Sequence, residues 1–291
     1  MTSRMLKEVL GKGEFVAAPG VHDMITAMIA NKIGFDFVFA SGYWTIASAY
    51  GLPDAGLATY TQMLERVSTL VQSSNAGIIA DADTGYGGLL NVHHTVRGYE
   101  QAGVQAIQLE DQEFPKQCGH TGTKQVIPLN DMVQKIEVAC EARTSPDTLI
   151  IGRTDAKQPE GYERALERAI AYAEAGADII LFEALETQDE MSAACKAVKK
   201  PMMLNMANGG KTPDMTVDEI KAAGFSLAIF PSTAPLAAAY AVETALRTLK
   251  LEGSSTTPDA PHFSFPEFGE LIGFPDIHAF DRKWADRKDK T

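Results

Sequence analysis

The sequence predicts an α/β fold, a (β/α)8 barrel with a C-terminal extension, from three observations. Short β-rich apolar runs recur eight times, and amphipathic segments of helix length separate them. Most runs also end in a polar or charged side chain, where a barrel gathers its chemistry at one mouth. Strand–helix alternation implies parallel pairing, because parallel strands need crossovers of about a dozen residues. A doubly wound sheet is the alternative. The turn after the first run, PGVHDM, lacks the glycine-rich phosphate fingerprint that such sheets carry.

Each element follows in order. FVAAPG from Phe15 leads to His22, and FVFASG from Phe37 ends at Ser41. GIIADAD from Gly77 ends in Asp81 and Asp83, and AIQLED from Ala106 in Glu110 and Asp111. Gly103 follows Ala102 as a helix end before that fourth run. Asn130 is placed to cap the next helix, whose Met132, Ile136 and Ala139 share a face. LIIGRTD from Leu149 carries Arg153, and Leu166, Ala169, Ile170 and Ala173 mark the helix after it. IILFEA from Ile179, MMLNM from Met202 and LAIFPS from Leu227 end at Glu183, Asn205 and Pro231. An alanine-rich helix over 235–249 completes a barrel domain of 1–250. Residues 251–291 read as a polar linker and a packing segment. Its Phe268, Leu271, Ile272, Phe274, Phe280 and Trp284 are expected to cover the barrel or a neighbouring subunit.

Charge narrows the partners. The 291 residues hold 26 Lys and Arg against 38 Asp and Glu, a net charge of −12, which disfavours nucleic acid and anionic membranes. Three cysteines cannot all pair within one chain, and MTSRMLKEVLGKG has no signal-peptide core. A cytoplasmic protein is expected.

Three constellations could carry chemistry. Asp81 and Asp83 are two apart on a strand end and therefore share a face; a hard divalent cation would relieve their repulsion. A solvated Asp-rich turn is the plainer alternative. In EDQEFPKQCGHTGTK (110–124), Lys116 and His120 would lower the thiol pKa of Cys118, giving a proton donor or nucleophile. The alternative there is a surface loop with an incidental thiol. Cys140 and Cys195 lie in helical patterns as packing residues. Arg153 needs an anion, either Asp155 or a substrate carboxylate.

SGYW, GLPD, DADTGYGG, EDQEFPKQCGH, GRTD, FEA and NGGKTP occur in this order over nearly the whole barrel. Together they resemble the isocitrate lyase/phosphoenolpyruvate mutase superfamily, in its 2-methylisocitrate lyase and 2,3-dimethylmalate lyase-like branch. The resemblance implies Mg²⁺ (or Mn²⁺), with Asp83 as direct ligand and Asp81, Asp54 and Glu110 holding the ion mostly through water. It implies that Ser41, Gly42 and Tyr43 bind an α-keto acid carboxylate, with Arg153 on the same fragment. Gly119, His120, Glu183 and Asn205 would line the pocket, beside Lys116. Cys118 would be the catalytic acid, and Tyr43 or a metal-bound water the base. A homotetramer with its last barrel helix exchanged between subunits is also implied.

The implied reaction is C–C cleavage of a small 2-hydroxy di- or tricarboxylic acid, giving pyruvate or glyoxylate, with no organic cofactor. KQCGH is similar to the lyases rather than to phosphonate-forming mutases. Pro231 stands where relatives that hydrolyse oxaloacetate carry a serine, with Ser232 next to it. The segment Asn205-Met-Ala-Asn-Gly-Gly-Lys departs from the usual methylisocitrate lyase pattern toward dimethylmalate or 2-alkylmalate lyases. Oxaloacetate hydrolysis to oxalate and acetate, and a catalytically silent oligomeric barrel, are the rival expectations.

Overall fold

The computed structural model describes residues 4–116, 124–256 and 262–288. The chain divides into two compact units, Met1–Pro235 and Leu236–Thr291. In the first unit every apolar run is a strand: β1 Val16–Val21, β2 Phe37–Ala40, β3 Gly77–Asp81, β4 Ala106–Glu110, β5 Leu149–Thr154, β6 Ile179–Phe182, β7 Met202–Asn205 and β8 Leu227–Phe230. All pair in parallel with their sequence neighbours, and β8 closes on β1. The (β/α)8 barrel is therefore confirmed.

Two apolar layers explain the runs. Val16, Ala18, Phe37, Phe39, Ile79, Ala106, Ile151, Leu181, Met203 and Ile229 form one cluster, the packed interior of the barrel. Their strand neighbours Val38, Ala40, Ile78, Ala80, Ile107, Leu109, Ile150, Ile180 and Leu204 join the helices in a second cluster. Strands buried on both faces read as continuous hydrophobic sequence, which is why the runs are conspicuous. The helix Leu6–Gly11 adds Leu6 and Val9 to the inner cluster, and the Leu6 amide donates to Gln105 Oε1 at 2.7 Å.

Side chains in a strand alternate, so the inner face can be extended by twos past each inner core residue. Phe39 leads to Ser41, Ile79 to Asp81, Ile151 to Arg153, Leu181 to Glu183, Met203 to Asn205 and Ile229 to Pro231. In β4, Ala106 leads to Gln108 and then Glu110. The polar strand ends thus share the parity of the barrel interior and crown its carboxyl-terminal mouth.

Local signals hold with one correction. Gly103 ends Leu89–Ala102 at φ +98, and Asp23, which the sequence reading did not name, caps the helix Met24–Ile33 through the Thr26 amide at 2.8 Å. Asn130 does not cap its helix. Leu129–Ala142 begins after Pro128, whose carbonyl already accepts from the Asp131 and Met132 amides, so Asn130 lies inside the first turn.

Two stability predictions arise here. A Cβ on Gly20 would stand 2.3 Å from the carbonyl oxygen of Pro231, backbone against backbone. Gly20→Ala is therefore expected to cost about 1–3 kcal/mol, seen as a lowered Tm. Glu100 accepts from the amides of Thr144 and Ser145 at 2.8–2.9 Å and from the Thr144 hydroxyl at 2.6 Å, tying its helix to the approach to β5. Burial would raise its carboxyl, but these bonds hold it below the ordinary value. Its contribution is present above the unfolded pKa and lost as pH falls through the folded one. The Tm gap between wild type and Glu100→Gln should be open at pH 7 and close below pH ~4.

The second unit holds the rest of the helix Thr233–Glu252, then Phe265–Leu271 and Phe274–Lys288. Ile272, Phe274, Phe280 and Trp284 remain 41–62% exposed in the single chain. Among the described residues no helix is long and apolar enough to cross a membrane.

Candidate active site

The mouth holds two neighbouring charge clusters. In the first, the Gly42 amide opens the helix Gly42–Tyr50 and donates to Asp81 Oδ2 at 3.2 Å. A Cβ on Gly42 would lie 2.9 Å from that oxygen and 3.2 Å from Asp83 Oδ1, so the close approach requires glycine. Asp81 Oδ1 accepts from the Asp83 amide at 3.1 Å and from Gln108 Nε2 at 3.2 Å. Asp83 itself is left-handed at φ +50, and Tyr86 in the same loop at φ +58. Such backbone strain in non-glycine residues concentrates at functional sites.

Lys116 enters this cluster. Its Nζ lies 2.6 Å from both Asp54 Oδ1 and Asp83 Oδ1, and it donates to Asp54 Oδ2 at 2.7 Å. All of these side chains are buried. Burial pushes the Asp83 carboxyl above its ordinary range despite Lys116. Burial would depress the Lys116 ammonium, but Asp83, Glu110, Asp81 and Asp54 together hold it well above its usual value. The Lys116 ammonium neutralises two aspartates, and Cys118, whose thiol it is expected to activate, lies outside the described residues.

The second cluster centres on Arg153. Its Nε and Nη2 donate to the two Asp155 oxygens at 2.8 and 3.0 Å. Glu110 Oε2 stands 3.4 Å away and Glu183 Oε2 3.5 Å. Asn205 Nδ2 donates to Glu183 Oε2 at 3.1 Å. Asp155, one of the two anions open to Arg153 in the sequence, is in contact with it in the folded chain. Glu110 is pushed well above its ordinary value by burial, although Arg153 and Lys116 oppose this.

The other expected residues are placed as follows. Ser41 is buried at the N-cap of Gly42–Tyr50, and Tyr43 on its first turn is 38% exposed, its ring edge-on to Trp44. Pro231 packs on Gly20, and Ser232 Oγ donates to Asn208 Oδ1 at 2.9 Å, joining the loops after β7 and β8. Cys118, Gly119 and His120 lie outside the described residues. Sequence reasoning did not single out Gln108 or Lys124. Gln108 carried a signal, a lone amide at inner parity in an apolar strand. Lys124 donates to Asp155, a pairing across 31 residues that spacing cannot show.

The donor set suits a hard cation, since it is all carboxylate oxygen. Glu110 Oε1 is buried and accepts no hydrogen bond among the described residues, while Asp54 Oδ1 and Asp83 Oδ1 face the Lys116 ammonium. Among the described residues, however, no three His, Cys, Asp or Glu side chains are grouped as metal ligands. In this arrangement the Lys116 ammonium supplies the positive charge.

The chain is also similar to known proteins. A family model described as phosphoenolpyruvate phosphomutase matches residues 6–250. The chain is 39% identical over 284 residues to 2,3-dimethylmalate lyase of Eubacterium barkeri, covering 98% of both chains. It is 42% identical over 277 residues to 2-methylisocitrate lyase of Aeropyrum pernix, covering 95% of this chain and 89% of the other. A solved structure of oxaloacetate acetylhydrolase with the inhibitor 3,3-difluorooxalacetate superposes with a TM-score of 0.92 at 32% identity, covering 98% and 97%.

Proposed function

Since the chain belongs to the isocitrate lyase/phosphoenolpyruvate mutase superfamily, we propose that it is a Mg²⁺-dependent carbon–carbon lyase acting on a 2-hydroxy di- or tricarboxylate of the 2-alkylmalate or 2-methylisocitrate type. The observation that carries the reading is the buried set Asp54, Asp81, Asp83 and Glu110, beside Arg153 at the barrel mouth. Asp83 would hold the ion, with Asp54, Asp81 and Glu110 around it. When bound, Mg²⁺ would lower the pKa of the substrate hydroxyl and stabilise negative charge on its oxygen.

The chain's own residues then have distinct tasks. Ser41 and the helix start at Gly42 bind the keto-acid carboxylate, and Arg153 contacts the same fragment. The hydroxyl proton passes to Tyr43, acting as its phenolate, or to a water held by the carboxylates. The C–C bond breaks as that oxygen becomes a carbonyl, and its electron pair passes to the departing carbon acid as an enediolate. Cys118 donates a proton to that carbon, so a keto acid and a second carboxylic acid leave. Glu183 and Asn205, bonded to each other, wall the pocket.

A panel of 2-hydroxy diacids, with oxaloacetate included, tests this reading. Pyruvate or glyoxylate release that needs Mg²⁺ and stops with chelator supports it. Oxalate from oxaloacetate alone favours hydrolysis, the reading supported by the likeness to oxaloacetate acetylhydrolase. No turnover on any member leaves the silent barrel. We further propose a homotetramer that covers the exposed Tyr240, Leu246, Phe280 and Trp284; a monomer by light scattering at micromolar protein would sink it.

A further inference from the structure

The Arg153 guanidinium is gripped on one edge. Nε and Nη2 both go to Asp155, while Nη1 donates no hydrogen bond among the described residues. Asp155 is completely buried and is itself held from two directions. Lys124 Nζ donates to its Oδ1, and its backbone amide donates to Asp111 Oδ1 at 2.8 Å. Asp111 in turn accepts from the Thr154 hydroxyl at 2.8 Å and from Tyr172 Oη at 2.7 Å, the latter on the helix Tyr162–Glu174. Glu110 and Glu183 stand farther from the guanidinium than Asp155 does.

We propose that Asp155 is a positioning residue for substrate recognition: it fixes the plane of Arg153 so that Nη1 faces a substrate carboxylate, with Lys124 and Asp111 anchoring Asp155. The inference rests on the reading of Arg153 as a substrate contact. A planar fork locked on one edge has less rotamer freedom left to lose when an anion binds the other. Asp155 also balances Lys124, so the arginine is held without its own charge being the sole support of a buried anion. A purely structural ion pair would stabilise the fold and leave ligand affinity alone.

The test is calorimetric binding of oxalate, with Mg²⁺ present, to the full chain and four variants. Arg153→Met is expected to weaken oxalate by about 100-fold. Asp155→Asn should weaken it roughly tenfold or more, and the Arg153→Met/Asp155→Asn double variant should bind no worse than Arg153→Met alone. Such non-additivity is the signature of one residue acting through another. Because Asp155→Asn leaves two buried cations without their shared partner, Lys124→Met/Asp155→Asn removes the pair together, and the same loss is expected in this charge-balanced chain. Wild-type affinity in Asp155→Asn and in Lys124→Met/Asp155→Asn, or losses that simply add in Arg153→Met/Asp155→Asn, overturns the inference. Wild-type affinity in Arg153→Met instead overturns the role given to Arg153 above, which separates the two failures.

Discussion

Asp83→Ala is expected to abolish divalent-cation-dependent turnover while the chain stays folded. A metal supplies several kcal/mol of transition-state stabilisation, so losing its main ligand should lower kcat by roughly 10²–10⁴-fold. The fold should survive because Lys116 keeps Asp54, to which it donates at 2.7 Å. Burial already disfavours the charged form of Asp83, so the carboxylate is held in place at a cost. Mn²⁺ binding followed by paramagnetic resonance gives a readout independent of catalysis, and affinity should fall with turnover. Full activity of the variant in the presence of chelator would refute the assignment.

Cys118→Ser is the second large expected effect. If the thiol protonates the departing carbon, a hydroxyl of far higher pKa should lose about 10²–10⁴ in kcat with little change in substrate affinity. Iodoacetamide should inactivate the wild type, and substrate with Mg²⁺ should protect it. The background is quiet: burial raises the Cys140 thiol and pushes Cys195 up to about 12, so both stay protonated and slow to alkylate. Cys140→Ser and Cys195→Ser should keep wild-type kcat. Wild-type turnover in Cys118→Ser would remove the thiol from the mechanism, and oxalate formed from oxaloacetate by that variant would select the hydrolase.

How far these residues could be foreseen depends on what spacing encodes. The strands were legible because burial on both faces leaves no polar interruption, and the site because polar residues appear where those runs stop. Period two also assigns Asp81, Arg153 and Glu183 to one face without any structure. What spacing does not encode is which anion a long cation meets. Lys116 reaches Asp54 across 62 residues, and Arg153 turns to Asp155, two residues on. Gln108 was passed over because a single amide in AIQLE looks like noise until its partner, Asp81 on the adjacent strand, is known. Asn130 misled because its residue type favours a cap, while the proline two positions earlier had already set the helix entry.

The alternation of inner and outer side chains has a consequence for how this enzyme can change over generations. Deleting one residue within β4 would shift its parity, sending Gln108 and Glu110 toward the helices and swinging Ile107 or Leu109 into the mouth. The same slip in β5 would cost Arg153 its place. Insertions and deletions inside strands are therefore closed to selection, and only point changes at strand tips remain there. The connections beyond the tips obey no such rhythm, since lengthening a loop carries only a small entropic penalty. New substrate preferences should therefore arise through loops of altered length on a barrel of fixed strand parity, the loop after β7 with its Asn208–Ser232 tie among them.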